Sequence, residues 1–194
     1  MTSLLSISDY LHRASTLLAE SAKAGLDTPV EAAITHLTAA LTERLPVLVA
    51  GNGGSAADAQ HIAGELVSRF LINRQGLPVI ALGTNTSTLT AWSNDMEYVS
   101  ALAREVEAYG RPGGVILGIS TSGNSANVIK AFEKAKDIGM HTIALTGAGG
   151  GKMKDLADVL VAVPSKVTPF IQEVHVCLYH YICEHVEARC AATA

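Results

Sequence analysis

The chain has 194 residues, of which 48% are hydrophobic and 16% charged, enough apolar material to bury a core without disulfide or metal staples. Its formal net charge is −4 and no run of Lys and Arg occurs, which argues against a nucleic-acid groove, because binding a phosphate backbone leaves a basic footprint. The low charge and a mean hydropathy of +0.29 fit apolar surface covered by other subunits, or else a helix-rich α/β monomer.

The first residues, Met1 to Glu20, carry Asp9, His12 and Arg13 within an apolar pattern. No signal peptide or membrane span is expected there, since neither a basic start nor an unbroken apolar stretch is present. Ile7, Leu11, Ala14 and Leu18 recur at helical spacing and define one face of a first helix. Thr28-Pro29-Val30-Glu31 reads as a capping box with proline at the first helical position, opening a second helix through Ile34, Leu37 and Leu41. Residues 1–44 are thus expected to form N-terminal helices that pack on the core and, in an oligomer, between subunits.

From Pro46 onward short β-branched runs alternate with helical stretches. The expected strands are Pro46 to Ala50, Pro78 to Leu82, Val115 to Ile119, Thr142 to Thr146 and Val159 to Val163. The expected helices are Ala56 to Phe70, Ser87 to Ser93, Tyr98 to Tyr109, Ala126 to Ile138 and Ile171 to Ala188. This rhythm predicts an α/β three-layer sandwich with a five-stranded parallel sheet, in a single domain spanning residues 1–194. Gly147 to Gly151 has no hydroxyls and reads as a turn. Cys177, Cys183 and Cys190 have no metal or redox spacing, which suits reduced thiols and a cytoplasmic setting.

Two matched loops carry the functional signal. Gly51-Asn52-Gly53-Gly54-Ser55 and Ser120-Thr121-Ser122-Gly123-Asn124-Ser125 each separate an expected strand from an expected helix. A helix N-terminus there presents unpaired N–H groups, glycine lets the backbone approach a ligand, and hydroxyls donate to phosphate or sugar oxygens. One such loop is an ordinary βα turn as often as not; two imply one phosphorylated ligand, bound beyond the carboxyl ends of the strands. His61 and Glu65 stand four apart on the helix after the first loop and can share one divalent metal, although a solvated pair is the commoner use of that spacing. Gln172, His175 and His180 add further polar groups to an otherwise apolar helix, where buried ones require partners.

The stretch from Val47 to Glu65, the stretch from Gly118 to Asn127, and Ile171-Gln172-Glu173 closely resemble the sugar isomerase (SIS) family and, within it, the phosphoheptose isomerases. The resemblance implies an aldose–ketose isomerase that interconverts D-sedoheptulose 7-phosphate and D-glycero-D-manno-heptose 7-phosphate, at the first step toward the heptose of lipopolysaccharide or related glycans. It also implies a cytoplasmic homotetramer. Matched residue by residue, it places Asn52, Gly53, Gly54, Ser55, Glu65, Asn94, Asp95, Ser120, Thr121, Ser122, Ser125 and Gln172 on the phosphorylated seven-carbon sugar. His61, Glu65, Gln172 and His180 would hold one zinc ion (Zn2+) per chain, with Glu65 and His180 as the catalytic pair. Where some members carry an acidic residue before the position of Gln172, this chain has Thr168-Pro169-Phe170.

Aldose–ketose exchange moves a proton between adjacent carbons through an enediolate, so it needs a base and an acid near the developing oxyanion. No redox cofactor is needed. On one regular helix Gln172 and His180 are about 12 Å apart along the axis, whereas His175 reaches Gln172 more easily. The family pattern selects His180 and leaves His175 to the core or a subunit interface. Two other readings compete: a non-catalytic SIS protein bound to the bacterial replication initiator, and a phosphosugar-sensing module. The presence of both Glu65 and His180 speaks against the first, and the lack of a helix-turn-helix against the second.

Overall fold

The computed structural model describes residues 5–192. Five strands, β1 (Val47–Ala50), β2 (Val79–Ala81), β3 (Val115–Ser120), β4 (His141–Thr146) and β5 (Val159–Ala162), form one parallel sheet in the order β2-β1-β3-β4-β5. Successive side chains leave a strand on opposite sides, so each continuous apolar run feeds two cores. Val47, Val49, Val115, Leu117, Ile143 and Leu145 face one layer of helices; Leu48, Ala50, Ile116 and Ala144 face the other.

The first layer contains α2 (Asp27–Thr42), α3 (Gly54–Val67) and α7 (Thr168–Ala192), which supply Ile34, Leu37, Ile62, Leu66, Tyr179 and Ile182. The second contains α5 (Tyr98–Tyr109), α6 (Ala126–Ile138) and a short 3₁₀ helix (Gly151–Asp155), which supply Leu102, Val106, Phe132 and Met153. Each fully buried aliphatic or aromatic side chain contributes about 1.5–3 kcal/mol relative to exposure. Gly118 in β3 leaves the room that Phe132 fills: a Cβ there would collide with the ring. The expected three-layer architecture is therefore present, and among the described residues no helix is long and apolar enough to cross a membrane.

Several boundaries differ from the sequence reading for physical reasons. The capping box does not form. Helix α2 starts at Asp27 after Leu26, with no side-chain cap, and Glu31 instead pairs with Arg189 at 2.8 and 2.9 Å. Pro29 then occupies the third helical position, where its missing N–H is one of those with no intrahelical acceptor. In α1 (Ile7–Ser21), Tyr10, Ala14 and Leu17 pack toward Val163, Phe170 and Val174, leaving Ile7, Leu11 and Leu18 of the expected apolar face exposed. Helix α3 stops at Val67 instead of Phe70, because Glu187 of α7 takes the N–H groups of Phe70, Leu71 and Ile72. Helix α4 (Thr86–Asp95), expected over Ser87 to Ser93, begins where the Asn85 side chain accepts from the Thr88 N–H at 3.2 Å.

Candidate functional site

In the order β2-β1-β3-β4-β5 the chain runs outward in one direction from β1 and in the other from β3. The crevice between those strands is the topological switch point where α/β sheets bind ligands. The two Gly- and Ser-rich loops follow β1 and β3 and flank that crevice.

In the first loop Gly53 has φ +56°, a conformation that favours glycine, and it opens α3 with no side-chain cap across the helix N–H groups. The Asn52 amide forms a reciprocal pair with buried Asn127 of α6: Asn52 Nδ2 donates to Asn127 Oδ1 at 2.9 Å, and Asn127 Nδ2 returns a bond to Asn52 Oδ1 at 2.8 Å. The Tyr98 hydroxyl also donates to Asn52 Oδ1, at 2.9 Å. Two donors thus occupy the carbonyl oxygen of Asn52, while one of its two N–H groups stays available to a ligand.

In the second loop the Ser120 and Ser125 hydroxyls meet at 2.8 Å, so Ser125 does not cap α6, and at that helix N-terminus Asn127 Oδ1 accepts from the Val128 N–H at 3.0 Å. Ser122 Oγ accepts from the Asn124 N–H at 3.1 Å. The Gly147–Gly151 segment, expected to be only a turn, braces this loop. Gly123 has φ +65° and packs on Gly150, the Met153 N–H donates to the Gly123 carbonyl at 3.0 Å, and the Lys152 N–H donates to Asn124 Oδ1 at 3.1 Å. A side chain at Gly123 would collide with the Gly150 backbone. Asn94 and Asp95 close α4 and bond to each other at 2.9 Å. Thr168, in the tripeptide that lacks an acidic residue, places its hydroxyl 3.4 Å from that of Thr121.

A second cluster lies further along α3. His61 Nε2 is 2.9 Å from Glu65 Oε1, and the His180 ring of α7 stands edge-on to His61 with centroids 5.0 Å apart. Phe70 stacks on His180 with centroids 5.9 Å apart. Donor atoms of His61, Glu65 and His180 all lie within 4.8 Å of one another. Two imidazoles and a carboxylate suit zinc, whose ligand atoms at about 2.0–2.2 Å stand about 3.5 Å apart in a tetrahedron, so the set fits once the 2.9 Å His61–Glu65 contact opens slightly and the wider separations close. The Tyr179 hydroxyl lies 3.0 Å from His61 Nδ1 and donates to Asp58 Oδ1 at 3.5 Å. Burial, reinforced by Asp58, pushes the Tyr179 phenol up to about 12, so it keeps its proton at neutral pH; burial also raises the Asp58 carboxyl.

Gln172 stands apart from that trio, with its Nε2 only 2.6 Å from where a Cβ on Gly54 would project. Within one chain it therefore belongs with the first loop, about 10 Å of helix rise from His61, while Glu65 lies about 16 Å along α3 from Gly54. His175 is fully buried and bonds the Thr146 carbonyl at 3.2 Å through Nε2, a core position, and burial lowers its pKa.

Asp58, Tyr98, Asn127, Tyr179, Arg74 and Glu187 escape single-sequence reading. Asp58 alone leaves a trace, three and seven residues before His61 and Glu65 on one helix face. Glu187 and Arg74 form a buried pair at 3.1 Å, and Arg74 Nη2 also donates to the Glu65 carbonyl at 3.1 Å. Burial pushes the Glu187 carboxyl up, but three backbone N–H groups and Arg74 outweigh it and hold the pKa below the usual value.

Residues 9–147 match the SIS domain family. A phosphoheptose isomerase of Crocosphaera subtropica is 59% identical over 148 residues, which cover 76% of each chain. The solved phosphoheptose isomerase of Neisseria gonorrhoeae superposes with a TM-score of 0.88 at 40% identity, covering 94% of this chain and 97% of its own. That of Francisella tularensis gives a TM-score of 0.91 at 34% identity, covering 97% and 100%. The chain belongs to the SIS-domain family and, within it, to the phosphoheptose isomerases.

Proposed function

We propose that this chain catalyses the aldose–ketose interconversion of D-sedoheptulose 7-phosphate and D-glycero-D-manno-heptose 7-phosphate, supplying heptose for lipopolysaccharide or a related glycan in the cytoplasm. The observation that carries this reading is the convergence of Glu65 and His180, from separate helices, on His61, in a chain whose two phosphate-type loops flank the sheet's switch point. Phosphate oxygens take the hydroxyls of Ser120, Thr121, Ser122 and Ser125, while Asn52, Gly53, Gly54, Ser55, Asn94, Asp95 and Gln172 bind the sugar.

Starting from the ketose, Glu65 removes a proton from C1 of the open-chain sugar and His180 gives one to the carbonyl oxygen on C2, forming the enediol. Return of the Glu65 proton to C2 and loss of the O1 proton to His180 give the aldose, with both groups restored. His61, Glu65, Gln172 and His180 hold one zinc ion, which when bound supplies positive charge against the sugar oxygens. Glu65 has two oxygens and His180 two nitrogens, so each can hold the ion with one atom and act with the other. The separation of Gln172 from His61, and the exposed Ile7, Leu11 and Tyr181, support a homotetramer in which neighbouring subunits complete each site.

Incubation of purified protein with sedoheptulose 7-phosphate and zinc, followed by NMR, tests the activity. An aldoheptose phosphate is expected to form; its absence in metal-replete protein contradicts the reading.

A further inference from the structure

We infer that Tyr179, backed by Asp58, is a positioning residue that fixes the tautomer of His61 and so aims its Nε2 lone pair at the metal; this rests on the metal reading above. The geometry forms a line of groups. Asp58 Oδ1 lies 3.5 Å from the Tyr179 hydroxyl, that hydroxyl lies 3.0 Å from His61 Nδ1, and His61 Nε2 lies 2.9 Å from Glu65 Oε1. Tyr179 is 2% exposed, so its hydroxyl finds few alternatives in solvent. Its ring stands edge-on to those of both His61 and His180, with centroids 5.3 and 4.9 Å away.

A phenol has one proton to donate, and an ionised carboxylate can only accept. With the Tyr179 O–H turned toward Asp58, the phenol oxygen is an acceptor and draws the imidazole proton of His61 to Nδ1. The Nε2 lone pair then faces the Glu65 carboxylate, and two acceptors cannot share a 2.9 Å contact without a positive charge between them. The same trio that includes His180 surrounds that point. Histidine ligands of metals are held in this way, by an acceptor on the other ring nitrogen, and loss of such partners weakens metal binding about 10–100-fold. Asp58 and Glu65 flank His61 on one face of α3, whereas Tyr179 reaches it from α7, so the device joins both helices that build the cluster.

The test is zinc affinity of the full chain, measured by competition with a chromophoric chelator, together with 15N shifts of His61 in the zinc-loaded protein. Tyr179→Phe is expected to bind zinc about 10–100-fold more weakly. Asp58→Asn should shift affinity in the same direction, and Tyr109→Phe, at an exposed ring ending α5 in the other helix layer, should match wild type. His61 in the loaded wild type should carry its proton on Nδ1. Wild-type affinity in Tyr179→Phe with weakened binding in His61→Ala overturns the relay alone. Wild-type affinity in both variants overturns the metal reading with it. Should Tyr179→Phe fail to fold, Asp58→Asn and the wild-type tautomer decide: a His61 lacking the Nδ1 proton contradicts the inference.

Discussion

Glu65 is tied down at two points, by His61 at its carboxylate and by Arg74 at its backbone carbonyl, and Arg74 is itself held by the buried Glu187. Such fixing is what a base needs if it is to meet a carbon-bound proton in one geometry. Glu65→Gln keeps the size of the side chain and removes the proton acceptor, so turnover of sedoheptulose 7-phosphate should fall at least about 10²-fold, the low end for a positioned acid or base. Near-wild-type turnover in a coupled or NMR assay would remove Glu65 from that role. At this scale the sequence is informative where chemistry is local: His61 and Glu65 are visible as an i, i+4 pair. It is silent where the partner comes from afar. Tyr179 reads as one more apolar position on α7, and Glu187 as one more surface acid, because only the packing of α7 on α3 and on the segment that follows it turns them toward His61 and Arg74. His175, the nearer candidate by spacing, is diverted into the core by the Thr146 carbonyl.

At the scale of elements, each loop leads into a helix whose N-cap residue makes no side-chain cap, and a neighbouring segment holds the loop open. Asn127 and Tyr98 hold the first; the Gly147–Gly151 segment holds the second. Replacing Ser120 and Ser122 together with Ala removes two hydroxyls and leaves the backbone donors. Phosphosugar affinity measured by calorimetry should drop by about 1–3 kcal/mol, and binding of unphosphorylated sedoheptulose far less. Equal losses for both ligands would move the phosphate elsewhere. The loops and most strands are legible in the sequence because glycine, hydroxyl residues and β-branched runs carry local physical meaning. The bracing is not, since Gly123 meets Gly150 only after β3 and β4 have paired. The unformed capping box shows the converse: Thr28 to Glu31 has the right letters, but Arg189 offers Glu31 a better partner.

For the whole molecule, alternation of strands and helices foretells a layered parallel sheet, yet the strand order β2-β1-β3-β4-β5 emerges only from the fold. That order puts the two loops side by side, and it makes one bound phosphosugar the economical explanation of both. Helix α1, whose other face already packs on Val163, Phe170 and Val174, leaves Ile7 and Leu11 exposed, as the proposed homotetramer requires. The most direct test of this account is a crystal structure of the Glu65→Gln variant with sedoheptulose 7-phosphate. The phosphate is expected within about 3 Å of the Ser120, Ser122 and Ser125 hydroxyls, with C1 and C2 of the sugar against residue 65 and His180. A phosphate bound away from the second loop, or reactive carbons out of reach of every copy of residue 65 and His180 in the assembly, would contradict it.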